Sequence, residues 1–183
     1  MDFKLVLEKL LTAFREQDVR YALIGGMALG AWGVPRGTVY IDFLVHRDDK
    51  GKVDAVMQGL GYECKYRTEN VSQYVSPLEV FGEVDFLHAF RAPSLGMFER
   101  AVERKLFGGT VSLRVLKIED LIGFKVQAIA NNENRRAQDM ADIEALLALH
   151  GSAVNWFLIE EYLALFGLND LCGELRRKYA GNQ

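Results

Sequence analysis

The chain has 183 residues, with 22 Lys and Arg against 25 Asp and Glu, a formal net charge of −3, and half of its residues are hydrophobic. This composition is typical of one folded domain, or of one domain with a helical extension, and it excludes a disordered chain. The nearly balanced charge excludes a nonspecific nucleic-acid binder, which needs a strong basic excess.

No apolar run approaches the roughly 18 residues of a membrane span, so we expect a cytoplasmic protein with no membrane partner. The two cysteines, Cys64 and Cys172, lie far apart in the sequence, and the three histidines are equally scattered. Neither set has the spacing of a disulfide scaffold or of a zinc site.

The first part of the chain alternates helical and extended patterns. The predicted elements, in chain order, are helix 3–14, strand 21–24, a short helix or turn 27–32, strand 39–45, helix 48–60, strands 71–75 and 83–87, helix 94–104 and strand 110–116.

Beyond Lys117 the apolar spacing becomes helical throughout. Four helices are predicted there, at 118–131, 135–150, 154–166 and 169–179, with Asn, Gly and Ser at the breaks. The chain therefore divides into an α/β core over 1–117 and a C-terminal helical region over 118–183. We expect the helical region to pack on the core as one structural unit.

Gly25 and Gly26 directly follow the buried strand 21–24. Two glycines at this point let the backbone approach a ligand closely and direct N–H groups at phosphate oxygens. Taken alone, such a pair is more often a tight turn chosen for steric reasons.

Two acidic residues interrupt apolar strands. Asp42 lies within strand 39–45 and Asp85 within strand 83–87, and Glu83 shares a strand face with Asp85. A carboxylate inside an apolar strand is costly unless it is paired, hydrogen-bonded or bound to a metal; the alternative is a solvent-facing strand surface. Together the acids indicate a site for a divalent cation with oxygen ligands, of the kind that suits magnesium with phosphates.

The order of strand, Gly-Gly, short helix, Gly-x-Pro-Arg-x-Thr over 33–38, apolar-Asp-apolar strand and later Val-Asp strand resembles the nucleotidyltransferase superfamily that includes DNA polymerase beta. Within it, the sequence most resembles the AbiEii-type, toxin–antitoxin-associated minimal nucleotidyltransferases, over roughly residues 19–149. The resemblance implies an α/β (α+β) fold with a mixed β-sheet, flanking helices and a C-terminal helical bundle. It also implies transfer of a nucleoside monophosphate from a nucleoside triphosphate to an acceptor hydroxyl, with release of pyrophosphate. The cofactor that it implies is Mg²⁺ or Mn²⁺, with two ions at the carboxylate cluster.

The resemblance assigns roles to particular positions. They are Asp42 and Asp85 as catalytic metal ligands, and Gly25, Gly26, Arg36 and Thr38 as nucleotide-binding residues. For Arg36 and Thr38 an ordinary solvated loop is the alternative.

Lys125 lies in the middle of the apolar stripe of helix 118–131, so its ammonium group must extend to solvent or find an acid or a phosphate. The resemblance makes Lys125 a catalytic triphosphate contact and places Asp139 in the same wall of the active site. The alternative is a salt bridge between helices, since Asp139 and Asp142 border the apolar stripe of the next helix.

Tyr40 is the main departure from the family, which has Asp-x-Asp where this chain has Tyr40-Ile41-Asp42. A phenol supplies no anionic metal ligand at neutral pH, so the carboxylate triad is incomplete. We expect Tyr40 to contact the nucleotide by stacking on a base, or to fill the vacated space. Glu83 is a candidate substitute ligand, although a group from another strand must reproduce near-octahedral geometry.

Three functions remain open. The first is a magnesium-dependent nucleotidyltransferase in a toxin–antitoxin or phage-defence setting, with an RNA or protein acceptor and a cognate toxin or antitoxin as partner. The second is a catalytically degenerate protein of the same fold that binds or regulates a partner. The third is an enzyme that adenylylates a small molecule such as an antibiotic.

Overall fold

A computed structural model describes residues 1–181 and separates the chain into two compact units. Unit 1 comprises Met1–Ala31 and Arg36–Leu116, and unit 2 comprises Trp32–Pro35 and the chain from Lys117 onward. Within unit 2, Nε2 of His150 is 2.8 Å from the carbonyl oxygen of Trp32, which ties the short segment to the helical region. The predicted packing of the helical region on the core stays a prediction.

Unit 1 contains four α-helices and seven strands among the described residues. In chain order they are α1 (Phe3–Glu16), β1 (Tyr21–Ile24), α2 (Gly25–Ala31), β2 (Tyr40–His46), α3 (Lys50–Gly59), β3 (Glu63–Arg67), β4 (Val71–Val75), β5 (Glu83–Ala89), α4 (Ala92–Arg100), β6 (Val102–Leu106) and β7 (Val111–Val115). Short 3-10 turns lie at Arg47–Asp49 and Phe107–Gly109.

The seven strands form one mixed sheet in the order β3-β4-β5-β2-β1-β7-β6. The pairs β2–β5 and β1–β7 are parallel, and the other neighbours are antiparallel. In this arrangement the end of β1 and the beginnings of β2 and β5 meet at the same end of the sheet. The mixed α/β fold predicted from the sequence is thereby confirmed.

The core of unit 1 lies between α1 and one face of the sheet. The buried stripe of α1 ends at Phe14, whose ring contacts those of Phe43 on β2 and Phe86 on β5. Successive side chains of a strand point to opposite faces, so burying Phe43 and Phe86 turns Asp42 and Asp85 to the other face. Core packing therefore determines where the two carboxylates point.

Unit 2 consists of α5 (Ile118–Asn131), α6 (Arg136–His150), α7 (Trp156–Leu165) and α8 (Asn169–Tyr179) among the described residues. The Tyr162 hydroxyl donates a 2.6 Å hydrogen bond to the buried Asp120 carboxylate. Among residues 1–181, no helix combines the length and the apolar character needed to cross a bilayer.

Two sequence predictions are wrong in detail. The helix predicted over 94–104 ends at Arg100, and Val102–Leu106 forms the edge strand β6, because its alternating side chains pair with β7. The glycine pair is not a turn before a helix, since α2 begins at Gly25 itself. The other predicted elements are confirmed to within a few residues of their ends.

Asp49 directly precedes α3 and anchors this helix to Arg20, the residue before β1. Its carboxylate, 3% exposed, accepts hydrogen bonds from the Arg20 backbone N–H and from two guanidinium nitrogens. Burial raises the pKa of Asp49, but the bonds from Arg20 outweigh it and bring the pKa down to about 2.

Asp49→Ala is expected to lower the free energy of unfolding at pH 7 by about 1–3 kcal/mol, because it removes the three hydrogen bonds that Arg20 donates to this buried carboxylate. Urea unfolding measures the loss. Asp48→Ala is the matched control, since the Asp48 side chain is 77% exposed and should change stability by no more than about 0.5 kcal/mol. Equal losses in the two variants would contradict the anchoring role.

Candidate active site

Gly25 lies directly against the carboxylate of Asp42. Its φ is +67°, a conformation that L side chains rarely adopt. A Cβ atom at this position would lie 2.6 Å from Cγ of Asp42 and would overlap Oδ2. Both the backbone conformation and the available space therefore require glycine beside the candidate metal ligand.

Gly26 lies against the loop that leads into β2. A Cβ atom at position 26 would be 3.0 Å from Cβ of Thr38 and 3.6 Å from Cγ of Arg36. The Thr38 hydroxyl in turn donates a 2.8 Å hydrogen bond to the carbonyl oxygen of Tyr40. The structure thus brings the glycine pair, Arg36, Thr38 and the start of β2 together.

Asp42 and Asp85 are aligned residues on the parallel strands β2 and β5. Neighbouring strands are about 4.8 Å apart, so the two side chains leave the same face of the sheet side by side. On the other flank of Asp85, Gln73 of β4 donates to Oδ2 at 3.3 Å. The sequence did not single out Gln73, because its proximity to Asp85 depends on the β4–β5 register.

Oδ1 of Asp85 is buried and has no hydrogen-bond partner within residues 1–181. Burial raises the pKa of Asp85 to about 6; the Gln73 bond opposes this rise and the negative charge of Glu83 adds to it. A buried acceptor without a donor costs free energy, and such atoms are concentrated at functional sites. This oxygen is available to bind a cation or to accept a proton.

The two carboxylates fit a magnesium ion whose remaining ligands come from phosphates and water. Magnesium is commonly held by one or two protein carboxylates together with substrate phosphates. Across residues 1–181, no three His, Cys, Asp or Glu side chains are arranged to hold a metal ion together. The cation would therefore depend on Asp42, Asp85 and the bound nucleotide.

Tyr40 begins β2 and is aligned with Glu83 at the start of β5. Tyr40 is 40% exposed and Glu83 is partly buried. By strand alternation Tyr40 shares a face with Asp42, and Glu83 shares it with Asp85. The substitute role predicted for Glu83 stays a prediction, as does nucleotide binding by Tyr40.

Lys125 and Asp139 belong to an ion-pair network inside unit 2. The Lys125 ammonium donates to Asp139 at 2.8 Å and to Asp142 at 2.6 Å, and Arg135 donates to Asp139 at 2.9 Å. Burial raises the pKa of Asp139, but these bonds outweigh it and leave the pKa below its ordinary value. The structure thus contains the salt bridge between helices that was the alternative for Lys125. Contact of Lys125 or Asp139 with a nucleotide stays a prediction.

A model of a protein family described as uncharacterised nucleotidyltransferase matches residues 3–177. The chain belongs to this nucleotidyltransferase family. A search of curated proteins returned no match. The match does not separate the AbiEii-type subfamily from the other nucleotidyltransferases.

Solved structures show the same nucleotidyltransferase fold. The solution structure of the antibiotic-resistance factor ANT(2'')-Ia is 16% identical with a TM-score of 0.67, covering 97% of this chain and 99% of that one. The crystal structure of ANT(2'')-Ia with adenylyl-2''-tobramycin is also 16% identical, with a TM-score of 0.60 and coverage of 94% and 96%. The lincomycin-bound lincosamide adenylyltransferase LnuA is 15% identical, with a TM-score of 0.57 and coverage of 79% and 96%.

Gly25→Ala is expected to displace the Asp42 carboxylate and to lower the thermal unfolding temperature, because the new methyl group overlaps Oδ2 in a backbone conformation unsuited to alanine. Thermal unfolding by circular dichroism measures the shift. Gly30→Ala, in the same helix, has no atom within 4 Å of the added Cβ and should equal or exceed wild-type stability. A Gly25→Ala protein as stable as wild type would contradict the packing described.

Asp85→Asn is expected to gain stability relative to wild type as the pH rises from about 4 to 7 in the absence of metal. Burial raises the pKa of Asp85 in the folded protein to about 6, whereas the unfolded chain ionises at the lower, ordinary pKa. Between these two pH values the unfolded wild-type chain loses a proton that the folded protein keeps, so the wild-type fold loses stability. Asparagine does not ionise, so the variant does not lose stability in this way. Urea unfolding of both proteins across this range measures the difference. A difference that is constant with pH would contradict the burial of Asp85.

Proposed function

We propose that the protein is a magnesium-dependent nucleotidyltransferase that transfers a nucleoside monophosphate from a nucleoside triphosphate to an acceptor hydroxyl. The observation that carries the proposal is the alignment of Asp42 with Asp85 beside Gly25. The membership of the nucleotidyltransferase family supports it. A cytoplasmic location, where nucleoside triphosphates are made, fits this activity.

Asp42 and Asp85 would hold the cation, which would neutralise the triphosphate and orient its phosphates. Gly25 and Gly26 would allow phosphates close to the backbone, and the Arg36 guanidinium would bind phosphate oxygens in a bidentate manner. As the acceptor oxygen bonds to the α-phosphorus, pyrophosphate leaves and the hydroxyl proton passes to a base. Most of the rate acceleration in such reactions comes from positioning and charge neutralisation.

The roles of Lys125 and Asp139 in the proposed reaction rest on the family resemblance alone. For Lys125 to bind a phosphate, its ammonium would have to exchange one of its bonds to Asp139 or Asp142, or add the phosphate as a third acceptor. Three donor hydrogens on the ammonium permit the second arrangement.

For the acceptor we favour a small molecule that carries a hydroxyl. Support comes from the near-complete overlap with ANT(2'')-Ia and from LnuA, which are an antibiotic-resistance factor and an antibiotic adenylyltransferase. An RNA or protein acceptor, with a cognate toxin or antitoxin as partner, is the expectation from the AbiEii-type resemblance. Pyrophosphate release, measured with different candidate acceptors, distinguishes these possibilities. The candidates are aminoglycosides, lincosamides, tRNA and a purified neighbouring gene product.

A catalytically degenerate binding protein is the second candidate, and Tyr40 favours it. The tyrosine occupies the position of a family carboxylate, and within residues 1–181 no three-acid metal group is present. Such a protein would release no pyrophosphate with any acceptor. Turnover by the wild-type protein would exclude this candidate.

Asp42→Asn is expected to abolish magnesium-dependent binding of a nonhydrolysable nucleoside triphosphate, because it removes one of two anionic ligands. The thermal shift produced by nucleotide with magnesium should fall to the shift without magnesium. Asp48→Asn removes the same charge from an exposed side chain and should keep the full shift. Unchanged magnesium-dependent binding by Asp42→Asn would refute the site assignment.

A further inference from the structure

We propose that the site binds its nucleotide with a single divalent cation, and that the Tyr40 hydroxyl binds a triphosphate oxygen where a second cation would otherwise neutralise it. The inference rests on the proposed function and specifies its metal requirement. It concerns this chain's own departure from the Asp-x-Asp pattern.

The carboxylates of the candidate site suffice for one divalent cation. Two cations about 3.5–4 Å apart, as in two-metal sites, carry four positive charges and need carboxylates that hold both. The aligned pair Asp42 and Asp85 supplies two negative charges, and across the described residues no third His, Cys, Asp or Glu joins them in a metal-binding group. Two carboxylates together with phosphates are a sufficient ligand set for one magnesium ion.

Tyr40 lies between the candidate phosphate loop and Asp42. It lies two residues before Asp42 on the same strand face, and its side chain is 40% exposed. Its carbonyl oxygen accepts the Thr38 hydrogen bond, which ties the start of β2 to the loop that carries Arg36. The phenol therefore leaves the backbone between the candidate phosphate loop and the candidate metal ligand.

A tyrosine hydroxyl is an uncharged donor at neutral pH, so it can donate a hydrogen bond to a phosphate oxygen but cannot replace an anionic metal ligand. A hydrogen bond to a charged group is stronger than one between neutral groups. Tyr40 would thus supply some of the stabilisation that a second cation provides, without the cation.

Glu83 provides the competing explanation. It is aligned with Tyr40 on β5, and a rotation of its side chain would bring a third carboxylate toward Asp85. In that case a second cation would bind and would depend on Glu83. The number of bound cations therefore distinguishes phosphate binding by the Tyr40 hydroxyl from metal binding by Glu83.

Electron paramagnetic resonance of free Mn²⁺ counts the cations bound per protein in the presence of one equivalent of a nonhydrolysable nucleoside triphosphate. We expect one bound Mn²⁺ per protein–nucleotide complex in wild type. In Tyr40→Asp, which restores the third carboxylate, we expect two. Tyr40→Phe should keep one Mn²⁺ and weaken nucleotide binding about 10- to 100-fold by calorimetry, the loss of one hydrogen bond to a charged oxygen. Glu16→Gln, an exposed change at the end of α1, should match wild type in both measurements.

Two bound Mn²⁺ in wild type, with the second lost in Glu83→Gln, would overturn the inference while leaving the proposed function intact. Unchanged nucleotide affinity in Tyr40→Phe would overturn the role of the hydroxyl. No Mn²⁺–nucleotide complex on the wild-type protein would overturn the proposed function, and this inference with it. Thermal unfolding of each variant shows that a loss of binding does not come from a loss of fold.

Discussion

The register between the parallel strands β2 and β5 is the constraint on which the candidate site depends. It places Asp42 beside Asp85, and it is maintained by the opposite face of the same strands, where Phe43 and Phe86 stack with ring centroids 5.8 Å apart. A slip of one residue would exchange the two faces, burying carboxylates and exposing phenylalanines. The hydrophobic core therefore specifies the site as well as stabilising the fold.

The geometry of the candidate site lowers the stability of the metal-free fold. Gly25 adopts a left-handed conformation against Asp42, and Asp85 is partly buried with one oxygen that has no hydrogen-bond donor among residues 1–181. Neither feature helps the metal-free protein, since glycine raises the conformational entropy of the unfolded chain and an unpaired buried acceptor loses its hydration. A cation held by the two carboxylates would relieve the second of these costs, because it would give the Asp85 oxygen a partner.

Much of the fold could be predicted from the sequence because the local signals agree with the final packing. The apolar spacing of α1 and α5 and the apolar runs of β1 and β2 have the periodicities of the elements they form. The sequence places 102–104 in a helix, because the alternation of Val102, Arg104 and Leu106 with Glu103 and Lys105 supports a strand only once β7 is known to lie beside it. Propensity is a weak guide for such edge strands.

For the candidate site, the sequence predicted the residues but not their distances. The Gly-Gly pair, Asp42 and Asp85 are visible as departures from apolar strands, yet the contact between Gly25 and Asp42 follows from the β1–β2 pairing, which joins Ile24 to Asp42. Gln73 could not be found without the register of β4 on β5. For Lys125, the sequence left a salt bridge and a phosphate contact equally open, and the structure shows the salt bridge.

Isothermal titration calorimetry of a nonhydrolysable nucleoside triphosphate into the wild-type protein, with and without magnesium, tests the account most directly because it requires no knowledge of the acceptor. Saturable binding at one site that requires magnesium is expected, since Asp42 and Asp85 would otherwise repel the triphosphate. Absence of binding under both conditions, by a protein that unfolds cooperatively, would contradict the claim that this pair of carboxylates forms a nucleotide site.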